Sequence, residues 1–479
     1  MTESFESKPV AVHHSEAWRE PHSPQIVVVG AGLAGLVAAR MLKRAGLSVR
    51  LFDAANRVGG RTRSLLDRFG SGLATEMGGE FVDSRHADML ALAREFGLTV
   101  LDTQGASEKG LSTSYFFRQR LRTETEVLRA FEPLAERMSA DASRLSPTIS
   151  AFEHSSFDRS MDQLSITAYL DEIGARDWVR RLIEVAYLTE YGAEVSRQSC
   201  LNLLTMLSLD TSTAFDVFGE SDERYKIKGG VGQIAQALSE QLTPELQLGQ
   251  ALVSIDRDAQ GPVLGFEHDG ARHAVAADFV VLAIPFTVLR TIPIALDLPP
   301  QKRLAIDTLG YGSNEKMVVG LRAPVWRDSG SNGQAFSDLD FQTGWDSSRM
   351  QSAGASFSFF VGGETGAAFA AAEHASLARH YAQEADALFP GLSGAFSGEF
   401  QATDWYANPL SRGSYSYYGP GQWTTIAGWE GEPCGRLFFA GEHCSRDFQG
   451  YMNGAAETGR RAAECIVDLV KENEGKVQC

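Results

Sequence analysis

The sequence predicts an α/β protein in which a Rossmann-like, dinucleotide-binding domain is interleaved with a second domain of mixed sheet plus helices. Three observations predict it. QIVVV, Gln25 to Val29, is an apolar run without alternation, as a strand buried on both faces should be, and the glycine-rich GAGLAG follows at Gly30 to Gly35. LVAARMLKRAG then reads as a helix with a glycine stop at Gly46, and SVRLFD as a second strand, which completes a β–α–β unit. Further strand signals return far downstream, at YKIKGG, ALVSID, FVVLAIP and GRLFFAGEH, so the first domain is discontinuous.

Length and composition set the frame. A chain of 479 residues, 43% hydrophobic, exceeds what one core organises. The expected first domain comprises residues 24–103, 224–300 and 421–472, and the second has a helical part, 104–223, and a sheet part, 301–420. Residues 1–23 are expected to form a loose arm. The helical part rests on amphipathic stretches such as TEVLRAFEPLAERMSADASRL and DWVRRLIEVAYLTEYG, and the Gly/Ser stretch near Asp328 to Gly333 reads as a surface loop. The closing GAAETGRRAAECIVDLVKE reads as a long helix with small residues on one face.

A net charge of -17 argues against nucleic acid and anionic membrane surfaces. The five cysteines are scattered, with no CxxC pair and no metal-ligand spacing, so no metal is expected and the thiols are read as reduced. No signal-like core and no run of eighteen apolar residues occurs, which points to a soluble, cytoplasmic protein. A homodimer is left open.

The motifs carry the chemistry. Gly30 permits the tight turn, Gly32 lets the backbone approach a pyrophosphate, and Gly35 lets helix and strand pack closely. The helix N-terminus offers free N–H donors to the phosphates. Asp53 ends the second strand roughly 20 residues after the loop, where a carboxylate accepts from ribose hydroxyls. Directly after it, AANRVGGRTRS places Gly59 and Gly60 between Arg57 and Arg61, arginines able to neutralise a pyrophosphate.

These stations, with EMGGEFVDSRHADMLALAREFGL, YKIKGGVGQIAQAL, ADFVVLAIP, NEKMVVGL, DWYANPLSRGSYSYYGPG and LFFAGEHCSRDFQGYMNGAAETGRRAA, resemble the flavin-containing amine oxidase superfamily, which includes monoamine, polyamine and L-amino acid oxidases. The resemblance implies FAD in a glutathione-reductase-type domain. It passes the backbone of Gly78 and Gly79 against the flavin ring, brings Leu252 or Val253 to the adenine, Glu442 to ribose or ribityl hydroxyls, and Gly450, Tyr451 and Met452 along the pyrimidine edge. It adds Ala34, Ala54, Met77, Glu80, Gly441 and Ala455 to the cofactor-binding set. Lys316 matches a lysine placed near flavin N5 through a water, where a cation assists the reaction of reduced flavin with oxygen.

Trp405, Tyr415 and Tyr451 match aromatic positions of monoamine oxidases. Tyr415 and Tyr451 are expected to cage the amine beside Phe81; Trp405 reads equally as core or as cage. Ser414 stands where some relatives carry the cysteine that binds flavin covalently, so FAD is expected to be non-covalent. The arginine that clamps the substrate carboxylate in many L-amino acid oxidases falls close to Phe81 here, leaving Arg85 or another arginine to supply that charge. Three functions follow. The first is oxidation of a primary amine to an imine, then aldehyde and ammonia, with oxygen reduced to hydrogen peroxide. The second is an L-amino acid oxidase giving a 2-oxo acid. The third is a non-catalytic flavin-binding scaffold. A carotenoid-type desaturase or porphyrinogen oxidase shares the N-terminal fingerprint but is not expected to keep both tyrosines.

Overall fold

A computed structural model describes residues 24–477 apart from 213 and 353, with the backbone alone for 473–477; the expected arm, 1–23, lies outside the described residues. Five parallel strands form the first sheet. β1 (Gln25–Val29) lies between β2 (Ser48–Phe52) and β4 (Phe279–Leu282), with β3 (Leu246–Gln247) outside β2 and β5 (Leu437–Phe439) outside β4. β4 is buried along its whole length, and β1 from its second residue on. That is why neither strand shows polar alternation. Three segments hundreds of residues apart thus build one sheet.

Helix α1 (Leu33–Arg44) follows β1. A Cβ on Gly35 would overlap the Gly30 carbonyl oxygen, so the third glycine of the loop is fixed by helix–strand packing. The C-terminal helix, Met452–Val477, packs along α1, and a Cβ on Gly459 would overlap the Ala34 carbonyl. The small-residue face read in the sequence is this close approach.

The second sheet has seven strands, in the order Phe396–Ala402, Glu315–Leu321, Ala355–Val361, Thr343–Asp346, Ser331–Ser337, Ser112–Phe116 and Leu121–Arg122. It is mixed: Ser331–Ser337 runs parallel to Ser112–Phe116, and the other pairings are antiparallel. Two expectations need correction here. Residues 104–223 are not purely helical, because the hairpin 112–122 turns through Arg118 and Gln119 at positive φ and joins this sheet. Asp328 to Gly333 is not a surface loop throughout. Val325–Ser329 is a 3-10 turn, and Ser331 opens a strand with its side chain buried, 3.0 Å from the Ser114 hydroxyl. Small polar residues in a buried strand inside the sheet look like loop composition.

The helices between residues 124 and 204 enclose their own apolar core. Among them α2 (Asp177–Tyr191) runs toward the first sheet and stops at Gly192, which adopts a left-handed φ of 64°. The C-terminal end of α2, the N-terminal end of α1 and the start of the C-terminal helix all reach one cavity.

Candidate active site

The cavity has a volume of about 520 Å³. Every residue assigned from the sequence to cofactor, substrate or catalysis lines it, except Gly35 and Val253. Gly35 is spent on packing. Val253 falls at a register shift in the antiparallel pair Ala251–Arg257/Pro262–His268, and Gln250, Ala251 and Leu252 line the wall instead.

At one end lies the glycine loop. Gly32 caps α1 in an extended conformation with no side-chain cap, and no protein atom would lie within 4 Å of a Cβ built on it. The first-turn N–H groups of α1 therefore face open space, as an anion site requires. Asp53 accepts from Ala31 N at 2.5 Å and Ala55 N at 2.7 Å, which ties the glycine loop to the turn that follows β2. Burial raises its pKa against these hydrogen bonds. Arg57 donates to the carbonyls of Val58 and Gly60, bracing the twin-glycine turn.

Glu442 joins three walls of the cavity. One oxygen accepts from Arg61 at 2.8 Å; the other accepts from the Ser416 hydroxyl at 2.7 Å and Gly450 N at 3.0 Å. Burial alone would raise its pKa, but Arg61, His443 and the Ser416 hydroxyl together outweigh it and hold the carboxyl below the usual range. Arg61 donates also to Ser414 O at 2.6 Å. The Ser414 hydroxyl donates to Asn314 Oδ1 at 2.6 Å.

Along the floor, Met77 to Phe81 pass through the cavity wall. Trp405 is 8% exposed and donates its Nε1 proton to Met77 O at 2.8 Å, which fixes the strand entering the glycine pair. Lys316 is buried and donates to Gly78 O at 2.8 Å and to Glu80 at 3.1 Å. Its place at the head of a fully buried strand is what the sequence suggested.

The opposite end carries the two tyrosines. Their hydroxyls go to consecutive residues at the C-terminal end of α2: Tyr415 to Thr189 O at 3.2 Å, and Tyr451 to Glu190 Oε1 at 3.0 Å. Phe81 lines the same space and meets Trp345 edge-on, 6.0 Å between centroids.

Sequence reasoning missed three carboxylates here, Asp83, Glu190 and Glu223, all lining the cavity. Burial raises each: Glu190 to about 7, Glu223 to about 8 with Glu190 and Asp83 adding repulsion, and Asp83 to about 6. Glu223 holds a φ of 42°, a left-handed conformation costly for a glutamate, and its carboxylate has no hydrogen-bond partner among the described residues. Arg57 and Arg61, occupied by Gly60 O and Glu442, are the cavity's arginines among the described residues. Arg85 does not line it; that side chain is 58% exposed and pairs with Glu220.

The residues present fit a dinucleotide flavin. Gln250 Oε1 and Gln449 Nε2 are buried, line the cavity and find no protein partner, while Gly32 leaves space where a side chain would project. A Rossmann-like sheet, a bare helix N-terminus and a glycine-floored cavity define the class of dinucleotide-dependent oxidoreductases. The chain belongs to the flavin-containing amine oxidoreductase family, whose sequence model matches residues 33–467, and FAD is its cofactor. Similar proteins include (S)-6-hydroxynicotine oxidase of Paenarthrobacter nicotinovorans, 28% identical over 93% of this chain and 98% of that protein. An L-amino acid dehydrogenase of Synechocystis is 26% identical over 93% and 95%. Among solved structures, cyclohexylamine oxidase from Brevibacterium oxydans superposes with a TM-score of 0.79 at 20% identity, covering 94% of this chain and 100% of that one; it shows the shared fold.

Proposed function

We propose that the protein oxidises a primary amine that arrives as a cation, forming the imine and passing the electrons to oxygen. The observation that carries this reading is the tyrosine end of the cavity, with three carboxylates and, among the described residues, no arginine to clamp an α-carboxylate. An ammonium entering there meets Glu190 and Glu223 and the negative end of the α2 dipole. An amino acid brings a carboxylate into the same repulsive field, which disfavours the 2-oxo acid reaction.

In this reading residues 24–103, 224–300 and 421–472 hold FAD. The α1 N-terminus, Gly32 and Gly60 take the pyrophosphate, Asp53 a ribose, and Gly78, Gly79, Gly450 and Met452 the ring. When bound, FAD accepts a hydride equivalent from the substrate α-carbon. The chain does the rest. Glu190 or Glu223 takes the ammonium proton, so that the amine reacts neutral. Tyr415 and Tyr451, pinned to α2, align its lone pair and exclude water. The imine is hydrolysed to aldehyde and ammonia, and oxygen takes two electrons and two protons to become hydrogen peroxide.

Ser414 supports a non-covalent cofactor, since its hydroxyl is engaged by Asn314. Acid precipitation should release all the flavin into the supernatant; yellow colour kept in the pellet would refute this. Among the described residues no helix is long and apolar enough to cross a membrane, and four cysteines are free. Both fit a cytoplasmic setting. The test of function is a peroxide-coupled screen of amines against L-amino acids. Peroxide with amines is expected. Peroxide with amino acids alone would overturn the substrate reading, and none with any would return the scaffold to consideration.

A further inference from the structure

Lys226 is buried beside the cavity but does not line it. Its Nζ donates to Glu80 Oε1 at 2.8 Å and to Ser347 O at 2.7 Å. The other oxygen of Glu80 accepts from Lys316 at 3.1 Å and from Trp345 Nε1 at 2.9 Å. Two buried ammonium groups therefore share one buried carboxylate. Burial pushes the Glu80 pKa up, and the two lysines together hold it below the usual range, so the carboxyl is ionised.

The charge count decides what this arrangement does. Lys316 and Glu80 alone would cancel, and a cavity wall carrying that pair would be neutral. With Lys226 the trio carries one net positive charge. The acids around it offset little of that charge. Glu76 turns its carboxyl to Ser64 and to Val231 N, and burial lifts it to about 7. Asp346, on the Lys226 side, is engaged by Arg327, Trp326 and Ser348. Glu223 is close enough to interact with both Glu80 and Lys316, but burial and the neighbouring carboxylates raise its pKa to about 8, so below that pH it offsets little of the charge.

We propose that Lys226 is a positioning residue that neutralises Glu80, leaving the Lys316 charge uncompensated at the cavity wall, where it favours anions formed during flavin reoxidation. The inference rests on the oxygen-acceptor reading above. Reduced flavin gives oxygen two electrons, and with two protons oxygen becomes hydrogen peroxide. The first electron makes oxygen an anion, which an uncompensated ammonium in a low-dielectric wall stabilises and a neutral pair does not. The same charge favours binding of sulfite, an anion that adds reversibly to oxidised flavin and bleaches it.

Charge reversal of the loss separates this role from a structural one. Lys226→Met leaves Glu80 cancelling Lys316. Glu80→Gln with Lys226→Met removes both partners and restores one positive charge. Sulfite titration and anaerobic-to-aerobic reoxidation would be followed on the flavin-loaded proteins. Lys226→Met is expected to weaken sulfite affinity and slow reoxidation by about tenfold or more, with a smaller effect on reduction by amine. The double variant is expected to recover both to within about threefold of the unaltered protein. Unchanged sulfite affinity in Lys226→Met would overturn the proposal, as would a double variant as impaired as the single one. Sulfite binding needs neither amine nor oxygen. A protein that fails to make peroxide yet shows the sulfite pattern would therefore refute the oxygen reading while leaving the charge assignment standing.

Discussion

Replacing both Glu190 and Glu223 with glutamine should weaken amine binding about a hundredfold. An ammonium about 4 Å from a carboxylate gains about 4 kcal/mol at an effective dielectric of about 20, and desolvation returns a large part of it. A net tenfold for each carboxylate is the conservative remainder. The pH profile should change with it. The wild-type carboxyls titrate at about 6 for Asp83, about 7 for Glu190 and about 8 for Glu223. Amine affinity therefore rises as pH climbs through that range and the acids ionise. In the double variant only the Asp83 step remains. Unfolding does not mimic this result. Burial raises both glutamate pKa values above the unfolded value, so the folded chain binds their protons more tightly. Their cost to stability grows as pH rises from about 4.5 toward 8. The glutamine variants should thus melt no lower than the wild type at pH 8. Unaltered affinity with an unaltered pH profile, measured by titrating the flavin spectrum, would remove the carboxylates from recognition.

Gly35→Ala should be the most damaging small change at the cofactor end. Helix propensity alone would favour alanine by about 1 kcal/mol. The added Cβ would overlap the Gly30 carbonyl oxygen, and backbone against backbone has no rotamer by which to escape. A loss of more than about 3 kcal/mol is expected, together with loss of flavin. Gly32→Ala is the contrast. No protein atom lies within 4 Å of its Cβ, so the chain should melt near the wild-type temperature while its flavin content falls. Melting temperature and flavin-to-protein absorbance ratio distinguish the two. Equal melting of both variants would contradict the packing role assigned to Gly35.

The two glycines also show what the sequence makes legible. Positions whose function is local, such as the turn at Gly30, the helix start at Gly32 and the carboxylate of Asp53, sit within one β–α–β unit, and their spacing alone reveals them. Lys316 was readable because a lysine heads an apolar strand. The carboxylates were not readable, because Asp83, Glu190 and Glu223 come from three segments and only the folded chain brings them together. Lys226 was hidden differently. In YKIKGG, Lys226 and Lys228 look alike, yet one is buried against Glu80 and the other is exposed. The strand Ser331–Ser337, paired on both sides, was concealed by its composition, since serine, asparagine and glycine pair there as strand residues. Of Leu252 and Val253, the two positions the resemblance offered, Leu252 lines the wall and Val253 falls at the register shift beside it.

The central claim is that the tyrosine end of the cavity selects cationic amines over amino acids. Its most direct test is anaerobic mixing of the flavin-loaded protein with matched pairs, each an amine and the L-amino acid that differs from it by the α-carboxylate. The amine member should bleach the flavin absorbance, with at least a tenfold higher kred/Kd than its partner, about 1.4 kcal/mol of discrimination. Faster bleaching by the amino acid across the pairs would contradict the account.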